Sequence, residues 1–381
     1  MEMEMGRRIA AARVQAEMTQ QELGEKIGSN RYAVLRLEKG ERNVSAFELA
    51  LIAEALGASV RDLLGRAEPV RAMAMAHRVD AAAVPDHLRS AQGRARRLFE
   101  LEGLLDQLGV TATPKVAVPD VPVPTSGTPS SQGRRLAGVV RDHLRLPDGP
   151  LPELSELVER RMGIDVSLEP MPDDVAGLCV LIEGRALAMA NSSCAKGRQR
   201  FTVAHEVCHI LCGDPIEVRV ECEGDPIGSS EEVRANAFAR HFLLPISAAR
   251  RELGDATDDA VIMSVMYSYG ISLQALLIQL IEAGLINEDR RARLLAIGPA
   301  ALSTSLGFRT EWNVAYRECM NVRRPPSRLE TRCFDAYRSG LIGIGPVADL
   351  LGEDDAEALR LQLAGEGIHP HAYEPDASLL V

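Results

Sequence analysis

The run His205-Glu206-Val207-Cys208-His209 restricts this chain more than any other five residues in it. Apolar neighbours on both sides (Phe201, Val203, Ile210, Leu211) suit a buried helix. Helical side chains four apart lie on one face, about one turn apart, so His205 and His209 can grip a single metal ion. Glu206, next to them, is placed to take a proton from a water at that ion. A catalytic zinc needs three protein ligands and an open fourth position, so a third ligand must come from elsewhere. Downstream, Ala235, Phe238, Ala239, Phe242 and Leu243 recur at helical spacing and Pro245 marks where that helix stops. Glu232 projects from its first turn, with Glu231 as the rival ligand. Asn236, four residues on, shares the face of Glu232 and can support a metal ligand by a hydrogen bond.

The two runs, residues 201–209 (F-T-V-A-H-E-V-C-H) and 232–239 (E-V-R-A-N-A-F-A), the second leading into Leu243-Leu244-Pro245, resemble the ImmA/IrrE family of metallopeptidases. The resemblance implies a zincin-like domain with His205, His209 and Glu232 as zinc ligands and Glu206 as general base. The plain alternative is a buried core helix with two satisfied histidines. Such sites usually carry a further oxyanion donor, for which His241, Arg240, Tyr267 and Tyr269 are candidates. Residues 177–182 and 185–190 read as two strands joined at Glu183-Gly184, a hairpin signal. Residues 185–191 are the expected strand edge for an extended substrate, against the reading of a merely structural hairpin. Cys208 and Cys212 flank His209; a thiolate ligand or an oxidisable thiol is weighed against small buried core residues.

The N-terminal region carries an independent signature. Thr19 and Glu22 form a capping box opening a short helix through Lys26, and Gly28 permits a tight turn. Residues 30–39 read as the next helix, ended by Gly40. Ser45 and Glu48 form a second capping box before Leu49, Leu51, Ile52 and Leu56, which supply an apolar face. The whole run resembles the XRE/Cro-type helix-turn-helix. That resemblance implies a five-helix DNA-binding domain with 30–39 as recognition helix, presenting Arg31, Tyr32 and Arg36 to base edges. It also implies Gln20 as a phosphate contact and an Arg13–Glu38 pair tying the first helix to the recognition helix. Gly24 departs from the family's usual alanine, an expected small loss of helix stability. The alternative is a helical protein-interaction module.

Net charge bounds the partners. With 43 Lys+Arg against 54 Asp+Glu the chain carries −11, so no broad basic coat exists and DNA binding must be local, with a homodimer expected. Seven cysteines, an odd number without framework spacing, suit a reduced cytoplasmic interior. The opening Met1–Gly6 lacks an apolar signal core, and no stretch approaches membrane-spanning length, so no membrane partner is expected.

A helical run, 86–108, carries a stripe of leucines that suits a partner helix, a dimer mate or its own domain. Residues 110–132, rich in Pro, Thr, Ser and Gly, read as a flexible linker open to proteolysis. Helices at 260–269 and 273–283 resemble the cap that follows the catalytic helices in the peptidase family; 329–337 and 344–351 read as a last helical pair. The expected organisation is a helix-turn-helix domain over 1–68, a helix and linker over 69–133, a peptidase domain over 134–299 and a helical region over 300–381. The fold class is mainly α with a small β element (α+β). The functional expectation is a regulator that binds a double-stranded DNA operator and uses zinc, or alternatively manganese, to cleave a repressor or other transcription-linked protein on a stress or mobile-element signal. Its rival is a ligand- or metal-responsive transcription factor, or an antitoxin-like repressor, without proteolysis.

Overall fold

A computed structural model describes residues 2–16, 18–27, 29–40, 42, 46–56, 63, 86–110, 116–173, 175–182, 184–214, 229–254 and 258–370. The chain divides into two compact units, Met1–Ala74 and Met75–Val381.

The first unit holds helices α1 (Glu2–Gln15), α2 (Gln20–Lys26), α3 (Arg31–Glu38) and α4 (Ala46–Leu56). Ile9, Leu23, Val34, Leu37 and Ile52, drawn from all four helices, form its buried core. The capping box is present in full: Thr19 N–H donates to Glu22 Oε2 at 2.7 Å, and Glu22 N–H to Thr19 Oγ1 at 3.2 Å. Asn30 caps α3 by accepting from Ala33 N–H, and Gly40, at φ 70°, turns the chain out of it. A Cβ at Gly24 would fall 2.9 Å from the carbonyl carbon of Asn30, so the glycine lets α2 press against the start of α3. The expected fifth helix, the Gly28 turn and Ser45 of the second capping box lie outside the described residues.

The second unit opens with α5 (Asp86–Gln107), α6 (Pro129–His143) and α7 (Leu154–Met162). One sheet follows, of β1 (Asp165–Glu169), β2 (Gly177–Ile182) and β3 (Arg185–Asn191). Beyond it run α8 (Lys196–Cys212), α9 (Ser230–Leu243), α10 (Ile246–Leu253), α11 (Asp259–Tyr269) and α12 (Leu273–Glu282). The C-terminal region adds α13 (Glu288–Ile297), α14 (Pro299–Ser305), α15 (Arg309–Asn313), a π-helical turn (Val314–Glu318), α16 (Ser327–Arg338), α17 (Ile344–Leu351) and α18 (Ala356–Gly365). Thus the fold is mainly α with one small sheet. The last helical pair expected from sequence is followed by a third helix, α18, capped by Asp355 accepting from Glu357 and Ala358 N–H. No single described helix is long and apolar enough to cross a membrane.

The strand order is β1-β3-β2, with β1 parallel and β2 antiparallel to β3. This corrects the expected substrate edge: residues 185–191 form the central strand, and both their backbone edges are used. Both β1 and β2 are edge strands; Leu168 and Arg324 exchange two backbone hydrogen bonds on the outer side of β1, and among the described residues the outer edge of β2 carries no such bridge. Helix α8 lies on β2 and β3 and also packs on α9, which packs on α6. Leu136, Val140, Val203, Val207, Phe238 and Phe242 fill that space.

Residues 116–128 run without regular structure, yet Val121 is buried in this core. The following helix begins at Pro129, capped by Thr128 and inside the stretch read as linker. Helix α5 folds back on its own chain. Buried Arg94 pairs with Glu169 of β1 at 3.0 Å and donates to the Asp349 and Leu350 carbonyls at the end of α17. Glu169 also pairs with Arg323 at 2.7 Å.

Candidate metal centre

Every residue from Thr202 to Ile210 on α8 is buried, including His205, Glu206 and His209. Three polar groups so enclosed need partners, since an unpaired buried charge is very costly. The second helix supplies one. Glu232, in the first turn of α9, brings Oε2 to 3.1 Å from His205 Nε2 and Oε1 to 3.4 Å from His209 Nε2. The two Nε2 atoms are 2.9 Å apart. One donor atom from each of His205, His209 and Glu232 lies within 4.8 Å of the others. Two imidazole nitrogens and a carboxylate oxygen converging in this way match the donor set of a zinc-type site. Glu231, the rival, accepts instead from Ser230 Oγ.

The outer support differs from the expectation. Among the described residues Asn236 makes no hydrogen bond to either histidine or to Glu232. Asp214 takes that position, with Oδ2 2.6 Å from His209 Nδ1, and Arg234 of α9 donates to its other oxygen. Helix α8 ends at Gly213 in the left-handed region, and that turn carries Asp214 back under the ring of His209. An acid just past the glycine that ends the helix was the sequence signal.

Electrostatics follow from these contacts. Hydrogen bonds from His205 and His209 hold Glu232 well below the usual carboxylate range, against the effect of burial. Burial draws the His209 pKa down, but its bonds to Asp214 and Glu232 outweigh that and lift it to about 10. Burial raises Asp214, and its bonds to His209 and Arg234 bring it below its ordinary value. The cluster therefore stores a proton that a cation can replace.

Glu206 faces the start of β2. Its Oε1 lies 3.3 Å from where a Cβ on Gly177 would sit, and that Cβ would also collide with Thr202. Cys179 of β2 is pushed well up by burial, and further by its hydrogen bond to Glu206. So the carboxylate lies beside the strand with the open edge.

The oxyanion candidates are engaged elsewhere. His241 pairs with Gln279 at 2.9 Å and Glu282 at 3.1 Å; Tyr267 bonds Ser303, and Tyr269 donates to Glu252. Arg240 is half-buried in the last turn of α9, where the charge of Glu282 acts on it. The Cys208 and Cys212 sulfurs are 4.0 Å apart, and neither belongs to the donor group.

In the first unit, Arg31, Tyr32 and Arg36 stand exposed on one face of α3, with Val34 and Leu37 turned into the core. Glu38 accepts from Arg13 at 2.6 Å, the expected tie. It also accepts from Gln20 Nε2 at 2.7 Å, so Gln20, at the start of α2, is tied to the end of α3.

Comparison with protein families agrees with both halves. Residues 159–280 match the IrrE N-terminal-like domain, a peptidase family. Residues 9–63 match the helix-turn-helix family. No curated protein matches the chain. The chain is a fusion of an XRE-type helix-turn-helix domain with a domain of the ImmA/IrrE peptidase family.

Proposed function

We propose that this protein is a DNA-binding transcriptional regulator with a zinc-dependent endopeptidase, acting in the cytoplasm. Its substrate is a repressor or another transcription-linked protein, cleaved when a stress or mobile-element signal arrives. The observation that carries the reading is the convergence of His205, His209 and Glu232 within 4.8 Å, with Glu206 buried beside them. In this reading His205, His209 and Glu232 hold the metal, zinc or alternatively manganese, while Asp214 fixes the ring of His209 so that Nε2 faces inward. A bound zinc supplies Lewis-acid polarisation of a peptide carbonyl and of a water. Glu206 would serve as the general base toward the attacking water and as the proton donor to the leaving amine. An extended substrate adding to the open edge of β2 passes beside Glu206.

Arg31 and Arg36 reach base edges in the major groove, with Tyr32 beside them, in a protein that binds its operator as a homodimer. The working boundaries are 1–68 for the DNA reader and 300–381 for the helical tail; the peptidase, expected over 134–299, is taken to start with the whole of α6 at Pro129, because that helix packs on α9. Fusion keeps the peptidase near operator-bound protein, raising local concentration without tight substrate affinity.

The test uses Glu206→Gln in the full chain, with bound metal measured by atomic spectroscopy and proteolysis followed in host cells. The variant keeps wild-type metal content and loses cleavage. Loss of metal from Glu206→Gln would mean that base and ligand are misassigned. Unchanged cleavage would remove Glu206 from the chemistry.

A further inference from the structure

A cavity of about 420 Å³ lies at the other end of the metal helix. Its walls are the first turn of α8, the α11–α12 junction and the π-helical turn at 314–318. Small-molecule sites span roughly 300–1,000 Å³ and are mostly apolar with a few placed polar groups. Met266, Ile271, Val314 and the rings of Tyr267 and Tyr316 supply the apolar part here. A π-helical turn is rare and frequently marks a functional site. Arg198 precedes His205 by two turns of α8, about 10 Å along the axis, so the cavity is distinct from the metal centre.

The polar groups select a charge. Arg200 is already occupied, donating to the carbonyls of Pro152 and Gly270 at 2.8 and 3.1 Å. Arg198 is not: it lines the cavity, is partly exposed, and makes no side-chain hydrogen bond or ion pair among the described residues. Lys196 stands exposed beside it. Glu153 and Glu311 lie at the exposed rim, where two carboxylates repel a polyanion. A single negative charge on a flat apolar body satisfies both sets of groups.

We propose that this cavity binds a small aryl monocarboxylate, its ring between Tyr267 and Tyr316 and its carboxylate on Arg198. The ligand seats on the N-terminal turn of the helix that carries His205, Glu206 and His209. The proposal does not depend on proteolysis.

Trp312 gives a local reporter. It is the single tryptophan of the chain, and its ring stacks on Tyr316 with centroids 3.6 Å apart. The experiment titrates 4-phenylbutyrate and the neutral 4-phenylbutyramide into the full-length protein. Binding is read by calorimetry and by Trp312 emission excited at 295 nm. The carboxylate binds saturably and shifts the emission, at least about tenfold tighter than the amide, a difference of about 1.4 kcal/mol.

Arg198→Gln removes that preference without lowering the melting temperature. Ala315→Phe, which fills the cavity, abolishes binding of both compounds. Binding persists after the metal is removed with chelator. Three results would overturn the proposal: no saturable binding, equal binding of acid and amide, or binding lost with the metal, which would place the carboxylate at the His205–Glu232 cluster. None of these bears on whether Glu206 supports proteolysis, so the two readings fail separately.

Discussion

Asp214 shows how a single side chain sets the chemistry of its neighbour. By holding His209 Nδ1 it leaves Nε2 for a metal, and Arg234 keeps it in place. Asp214→Asn is expected to weaken zinc affinity about 10–100-fold, measured by chelator competition; an unchanged affinity would make Asp214 a bystander. The pH dependence has a definite sign. His209 is raised to about 10, so in the metal-free protein its contribution is full below the ordinary histidine value and is lost as pH rises toward 10. Glu232 and Asp214 are lowered, so their contributions hold above ordinary carboxylate values and are lost as pH falls. Metal-free protein therefore loses melting temperature from pH 7 to 10. Zinc affinity rises over the same range, because binding expels the stored proton. Calorimetry in buffers of different ionisation enthalpy reads that proton directly, and zinc binding at pH 7.5 without proton release would contradict the cluster's assigned state. The two histidines and Glu206 were legible in the sequence because helical spacing is local. Asp214 was not, because its position depends on a turn at Gly213. For Asn236, a shared helical face proved no guarantee of contact.

At the scale of elements, a residue's intrinsic propensity and its packing can point in opposite directions. Propensity alone says that Gly24→Ala should strengthen α2 by about 1 kcal/mol. The nearby backbone of Asn30 says otherwise, and overpacking of this kind costs about 1–3 kcal/mol. Gly24→Ala is thus expected to lower the melting temperature of the DNA-binding unit and weaken operator binding; a stabilised variant would refute the close approach. Arg31→Ala or Arg36→Ala should cost about 1–3 kcal/mol in specific binding if a bidentate base contact is lost, and unchanged sequence preference in a footprinting assay would exclude that face. The β2–β3 hairpin was readable because its residues are apolar and bounded by a glycine turn. Strand β1 was missed because Asp165, Ser167 and Glu169 give it the look of a surface segment, although all three are buried. Their partners, Arg324, Arg328, Arg94 and Arg323, come from distant positions. Missing β1 made β3 look like an edge.

Across the whole molecule, the segments that sequence pattern left vague are tied down by long-range charge pairs. Glu169 joins Arg94 of α5 to Arg323 before α16. Removing it takes away the buried carboxylate partner of Arg94 and leaves it only the more exposed Asp349 at 3.5 Å, a loss that approaches the cost of breaking a buried pair, about 3–5 kcal/mol. Glu169→Ala should therefore melt the peptidase unit at clearly lower temperature, and an unshifted transition would mean the pairs carry no net stability. Such contacts span more than 70 residues, beyond the reach of any periodicity, which is why the packing partner of 86–108 and the role of 300–381 stayed open in the sequence. The central claim joins metal, base and DNA reader in one regulator. Its most direct test compares new protein N-termini in host cells making the wild-type chain or Glu206→Gln, with and without stress. The account predicts at least one N-terminus present only with wild type, from a transcription-linked protein. Identical sets of N-termini under every condition, with both proteins metal-loaded and bound to the same promoter, would contradict it and leave a metal-responsive DNA-binding protein.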